Sequence, residues 1–238
     1  MRSELTRDDL KLFDLQLFQP RHGYRYSLDP LLLARFCPVL KPNGSIIDLG
    51  AGCGIISLVL ARINVTASVV AVENNPDMAL LIERNIQHND LAGRVSVRAE
   101  DITNLRKNYP DSTFDLVVSN PPFRKAGSGK ISPRAGRDAA RHETTASLAD
   151  FISAAKFLVK PSGRICFIHL PSRLPEFISL AAQMKLSVLR LRMIHNNLES
   201  PTTMFMAELA KGRNSAPVVE PPLCVRTMNG EYSHEVWR

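Results

Sequence analysis

From residue 45 onwards, apolar runs of strand length alternate with longer segments of helical period, and this alternation constrains the fold more than any other feature of the chain. SIIDLG (45–50), SVVAVEN (68–74), VSVRAED (95–101), FDLVVSN (114–120) and RICFIHL (164–170) read as strands. Helical patterns over 55–63, 76–89, 147–160 and 174–185 separate or follow them. Repeated βαβ units of this kind build a parallel sheet with helices on its faces. The pattern then changes: 186–195 and 202–212 are strand-like with only NNLESP between them, so they pair antiparallel. The expected fold is α/β, a Rossmann-like seven-stranded mixed sheet with a terminal antiparallel strand pair.

The ends are less regular. Residues 1–26 form an N-terminal extension whose alternating LKLFDLQLFQ suggests a small hairpin; 27–212 is the main domain, opened by a helix over 28–36; 213–238 is a tail expected to lie extended against it. With 45% apolar residues the 238-residue chain can bury a full core. Its longest weakly charged stretch, 55–72, is broken by Arg62 and Asn64, so no membrane span is expected, and the mixed-charge start does not read as a secretory signal. A cytoplasmic protein is the expectation. Cys37, Cys53, Cys166 and Cys224 are far apart and form no metal-binding pair, which predicts buried thiols and no metal. The net charge of +7 favours a polyanionic partner without naming an activity.

DLGAGCG (48–54) falls where the first strand of the alternation meets its helix, with Gly50, Gly52 and Gly54 in G-x-G-x-G spacing. The dinucleotide fingerprint is G-x-G-x-x-G, and the acid Asp48 beside the loop would repel a pyrophosphate while suiting a cation or a ribose. Glu73, with Asn74 beside it, closes the next strand, at the distance where an acid accepts ribose hydroxyls in nucleoside-binding α/β folds. Asp101 closes the third, placed to accept from an adenine amino group. Any one of these reads equally well as a tight turn or a helix cap. Three on consecutive strand ends outline a pocket for a nucleoside joined to an amino acid.

Next along that edge come Asn120, Pro121, Pro122 and Phe123. Each proline fixes its own φ, lacks an N–H and pushes the preceding residue into an extended conformation. The Pro121 carbonyl is thus left free, and with the Asn120 side-chain oxygen it can accept both hydrogens of an exocyclic NH2. Phe123 offers a flat face for a planar base. Such a loop would serve transfer chemistry by orientation rather than by strong base catalysis.

DLGAGCG, Glu73, Asp101 and NPPF together resemble the ordered motifs of the class I S-adenosylmethionine-dependent methyltransferases of amino groups. Within them the layout resembles the bacterial tRNA1(Val) adenine-N6 methyltransferase family, including the lead-in QPRHGYRYSLDPLLLARF and the basic insertion ending RHE. The resemblance implies S-adenosylmethionine as cofactor. Asp48 through Gly54 would contact its methionine part, Glu73 its ribose and Asp101 its adenine, with Asp29 a further contact near the methionine end and Asn120 beside the reacting centre. It also implies a tRNA partner, recognised at the anticodon stem-loop of a valine tRNA, with the adenosine after the anticodon as target. Comparable members read NPPY, so Phe123 keeps stacking and loses a hydroxyl.

Between Arg124 and Arg141 lie Arg124, Lys125, Lys130, Arg134, Arg137 and Arg141 against one acid, Asp138. Beside a base pocket they are candidate contacts to RNA phosphates. Arg190, Arg192 and His195 add positive charge to the sixth strand, on a face that alternation can leave to solvent without partners. Two other readings stay open: a protein glutamine-N5 methyltransferase, disfavoured by the short segment before the first helix, and a non-catalytic RNA-binding protein on the same fold.

Overall fold

A computed structural model describes residues 4–22, 27–123, 146–212 and 216–237. The basic segment from Arg124 to Arg141 lies outside the described residues.

The elements follow the sequence pattern closely. β1 (Leu5–Leu10) and β2 (Leu15–Pro20) form the expected hairpin, and α1 (Asp29–Phe36) opens the main domain. There follow β3 (Ser45–Leu49), α2 (Ile55–Ile63), β4 (Ser68–Glu73), α3 (Pro76–His88), β5 (Val95–Ala99) and the short α4 (Leu105–Asn108). Next are β6 (Phe114–Ser119), α5 (Leu148–Leu158), β7 (Val159–His169) and α6 (Leu174–Gln183), then β8 (Leu186–His195) and β9 (Thr202–Lys211). The tail contributes β10 (Val218–Val219), β11 (Leu223–Cys224) and α7 (His234–Trp237).

Seven strands run β8-β9-β7-β6-β3-β4-β5, and β9 is antiparallel to both its neighbours while the rest are parallel. The expected sheet is present, extended by β10 and β11, each pairing with β8. Side chains alternate across it. Ile46, Leu116, Cys166 and Met206 face one core with residues of α1, α2 and α3; Ile47, Val117, Ile165 and Ala207 face the other with residues of α5 and α6. Burial on both faces is why the central strands read as continuous apolar runs.

β7 differs from the expectation. It begins at Val159 rather than at Arg164, because the helix before it stops at Leu158. Pro161 and Gly163 sit in a bulge, where pairing to β6 shifts register between Phe114 and Leu116. A Cβ on Gly163 would lie 2.8 Å from the Asp115 carbonyl oxygen, so glycine permits this close approach of backbones.

Arg190 and Arg192 are also corrected, since neither is a free surface cation. Arg190 Nε donates to Glu208 at 2.7 Å and Nη1 to Glu220 at 2.9 Å, while Arg192 pairs with Glu235. Glu208 is buried and also pairs with Arg164 at 2.9 Å, so these charges clasp the tail to β8 and β9. A cavity of about 710 Å³ lies beside this network, lined by α1, β8 and tail residues, and holds none of the predicted site residues. Cys37, Cys53 and Cys166 are buried as expected, and Cys224 is half-buried. Among the described residues no helix is long and apolar enough to cross a membrane.

Candidate active site

The chain runs from β3 outward through β4 to β5, then returns to place β6 on the other side of β3. That reversal makes a crevice at the carboxyl ends of β3 and β6, the place where open α/β sheets bind ligands. The register sets Leu49 opposite Ser119, and Ser119 Oγ donates to the Leu49 carbonyl at 2.7 Å. Gly50 and Asn120 follow these two residues directly, so the glycine loop and NPPF face each other across the crevice.

Gly50, Gly52 and Gly54 all have positive φ. Gly54, at φ +86°, caps α2, and a Cβ there would lie 2.9 Å from Ile82. Both its conformation and its packing exclude a side chain. Glu73 braces the loop from the neighbouring strand: its Oε2 accepts the Gly52 N–H at 2.8 Å and its Oε1 the Asn75 N–H at 2.9 Å. Asn75 in turn caps α3 by accepting from the Asp77 and Met78 amides. Burial pushes the Glu73 carboxyl above its ordinary value.

Asp48 is fully buried. The Ser57 hydroxyl donates to its Oδ2 at 2.7 Å, and its Oδ1 has no hydrogen-bond partner. Burial, opposed by the Ser57 bond and aided by nearby Glu73, raises its pKa to about 7. A second orphan is Asn120 Oδ1, buried without a partner at the mouth of β6. Two unpartnered acceptors beside one glycine loop are costly in a bare fold. They fit a ligand that brings hydrogen-bond donors, one of them cationic.

The other predicted residues are placed less decisively. Asp101 Oδ1 accepts from the Thr103 amide at 2.8 Å and its hydroxyl at 2.7 Å, capping a short 3-10 turn. Asn74 is exposed just past Glu73, and Asp29 starts α1, accepting from the Ser27 hydroxyl at 2.7 Å. Pro121 is buried, Pro122 exposed and Phe123 half-buried.

Sequence reading missed His169. It ends β7, and its ring lies 5.5 Å from that of Phe123, tilted by 55°. On its other side it stacks over Phe205 at 6.5 Å, and Phe205 meets Phe177 at 5.4 Å. The Leu170 N–H donates to His169 Nδ1 at 2.7 Å, so that nitrogen carries no proton. Burial first, and the Arg173 charge second, lower its pKa to about 4. A neutral imidazole thus carries the aromatic face of the NPPF loop on the core. The signal available in sequence was its place at a strand end on the edge that holds the other site residues.

Among known proteins, the methyltransferase small domain family matches residues 30–172. A protein of Porphyromonas gingivalis named tRNA1(Val) (adenine(37)-N6)-methyltransferase is 34% identical over 187 residues, covering 76% of this chain and 71% of that one. One of the same name from Parabacteroides distasonis is 31% identical over 195 residues, covering 80% and 78%. Among solved structures, a predicted O-methyltransferase from Agrobacterium tumefaciens superposes with a TM-score of 0.68 at 22% identity, covering 86% of this chain and 91% of its own. The M. jannaschii tRNA m1G37 methyltransferase superposes with a TM-score of 0.60 at 15% identity, covering 90% of this chain and 56% of its own. The match over residues 30–172 spans more than half of the chain, which belongs to the methyltransferase small domain family as a methyltransferase.

Proposed function

We propose that this methyltransferase takes S-adenosylmethionine as cofactor and methylates the exocyclic N6 amine of adenine in tRNA, at the adenosine after the anticodon of a valine tRNA. The observation that carries the reading is the buried, unpartnered Asn120 Oδ1 directly across the crevice from the glycine loop. The names of the relatives support the choice of nucleotide and of tRNA.

The bound cofactor supplies an electrophilic methyl group on a sulfonium. Gly50 to Gly54 would hold its methionine end with their backbone, and Asp48 would face the amino group, whose charge favours the carboxylate form. Asp29 would complete that end, while Glu73 and Asn74 would take the ribose and Asp101 the adenine. Asn120 Oδ1 and the Pro121 carbonyl accept the two hydrogens of the target amine, and Pro122 keeps this cradle rigid. Phe123 stacks on the target base. Positioning of this kind is worth roughly 7–11 kcal/mol in favourable cases, so no strong base is required before transfer. Transfer would break the S–CH3 bond and form the N–CH3 bond, leaving the cofactor as a neutral thioether, and the methylated, cationic nitrogen would then lose its proton to solvent.

To reach this cradle the base must leave its stack, which suits a loop better than a duplex. Arg124, Lys125, Lys130, Arg134, Arg137 and Arg141 follow the cradle in sequence and would neutralise phosphates of the anticodon stem-loop. Residues 27–212 are taken as the methyltransferase domain, with the hairpin and tail packed on it, and a tRNA substrate supports a cytoplasmic location. The test is nucleoside mass spectrometry of tRNA from a deletion strain and after reaction with purified protein. Loss of N6-methyladenosine from one tRNA, restored in vitro, is the expected result. Methylation of protein glutamine with no RNA product would overturn it.

A further inference from the structure

Helix α3 carries Asn85, and Asn89 caps its C-terminal end one turn later; both are buried. Each binds the hairpin as a neighbouring strand would. The Gln16 N–H donates to Asn89 Oδ1 at 2.8 Å, and Asn89 Nδ2 donates back to the Gln16 carbonyl at 2.7 Å. The Phe18 N–H donates to Asn85 Oδ1 at 2.8 Å, and Asn85 Nδ2 donates back to the Phe18 carbonyl at 2.9 Å.

The spacing explains why this works. Four residues of helix advance about 6 Å, and two residues of antiparallel strand advance about 6.8 Å. The register pairs Asp9 with Gln16 and Arg7 with Phe18, and β1 lies on one edge of β2. The two amides therefore serve its other edge, and α3 stands in for a third strand.

Asn85 differs from Asn89 in one respect. Its Nδ2 also donates to the Cys53 carbonyl at 3.0 Å, inside the glycine loop and one residue before the Gly54 cap. A single buried amide thus holds the hairpin and the loop together. Asn89 Nδ2 instead gives its second hydrogen to the Asn85 carbonyl, one turn back in α3, at 2.7 Å.

We infer that Asn85 is a positioning residue for the cofactor loop, and that through it the N-terminal hairpin is part of the frame of the cofactor pocket rather than a peripheral extension. The inference rests on the reading above that the glycine loop holds the cofactor. Coupling of this kind is reciprocal: what the hairpin does to ligand affinity, the ligand does to the hairpin.

Calorimetric titration with S-adenosylhomocysteine compares the parent with Asn85→Ala and Asn89→Ala. Asn85→Ala should raise the dissociation constant about tenfold and Asn89→Ala less than about twofold, although both loosen the hairpin. Equal affinities in the two variants would overturn the inference. Hydrogen exchange on the unmodified protein decides the matter if Asn85→Ala fails to fold. Saturation with S-adenosylhomocysteine should slow the Gln16 and Phe18 amides, and unchanged exchange there counts against the coupling. If the parent does not bind this ligand, the reading of the pocket fails. The coupling is then judged on the free proteins, where amides of residues 52–55 should exchange faster in Asn85→Ala than in Asn89→Ala, and equal rates would reject it.

Discussion

Glu73 and Gly52 are joined at 2.8 Å by a carboxylate oxygen accepting a loop amide, while the other oxygen of the same carboxylate accepts the Asn75 amide. An acid whose position in sequence suggests a ribose contact is therefore also a brace for the glycine loop. Each carboxylate oxygen has a second lone pair, so the two roles are compatible.

Glu73→Gln turns one of those oxygens into an NH2 facing a backbone N–H. Leaving a buried donor unpaired costs about 1–3 kcal/mol. The variant should lose that much stability in urea and bind S-adenosylhomocysteine at least about tenfold more weakly, tenfold being 1.4 kcal/mol. Unchanged values in both assays would remove the brace.

Asn120→Ala removes the orphan acceptor without touching the glycine loop. The rate of methyl transfer should fall by about 10²–10³, the usual loss for one preorganised hydrogen-bonding group. Cofactor affinity should change by less than about threefold, well under 1 kcal/mol. Single-turnover methylation beside calorimetry separates these, and an undiminished rate would show that the side chain does not hold the amine.

Asp48 has a pKa of about 7 in the folded protein, against about 3.9 in an unfolded chain. The native state holds this proton more tightly. Its contribution to stability is complete below about pH 4 and is lost as pH rises through 7. Asp48→Asn removes that dependence, so its stability relative to the parent should rise between pH 5 and 8 by at least ~1.4 kcal/mol, one pKa unit. A cationic ligand favours the carboxylate, so binding at pH 7 should release about half a proton. Calorimetry in buffers of different ionisation enthalpy reads this, and zero release would place the ligand's amino group away from Asp48.

His169 has the opposite sign. Its pKa of about 4 lies below the unfolded value of about 6.5. Its contribution to stability is present above pH 6.5 and is lost as pH falls through 4. His169→Asn retains an acceptor for the Leu170 amide and should show a shallower acid transition between pH 6.5 and 4. The rate profile of the parent should carry no inflection near pH 6.5 from this group, because the imidazole stays neutral. An unchanged acid transition in the variant would refute its buried, neutral state.

Glu208 lies between Arg164 and Arg190 at 2.9 and 2.7 Å. Glu208→Ala leaves two half-buried guanidiniums facing each other. A loss of about 2–4 kcal/mol is expected, somewhat below that for a fully buried pair because both arginines keep some water. Urea unfolding of the variant measures it, and a loss under 1 kcal/mol would mean that water or Glu220 replaces the partner.

Much of this was legible along the chain because it depends on neighbours in sequence. Strand and helix periods, the glycine turn of 50–54, the proline-fixed NPPF turn and the acids at strand ends are all local, and the elements apart from β7 and the tail lie close to their expected places. The bulge at Gly163 was not legible, since it answers to the Asp115 carbonyl on another strand. Asn85 and Asn89 read as two polar residues on a helix until β2 lies against them. His169 reads as the polar end of an apolar strand until Phe123 and Phe205 enclose it. Sequence by itself determined which groups stand at the carboxyl edge of the sheet. Only the tertiary structure decided which of them are dry, and hence that Asp48 titrates near 7, that His169 stays neutral and that Asn120 keeps an unpartnered oxygen, because desolvation and pairing depend on what packs around a group and not on what precedes it.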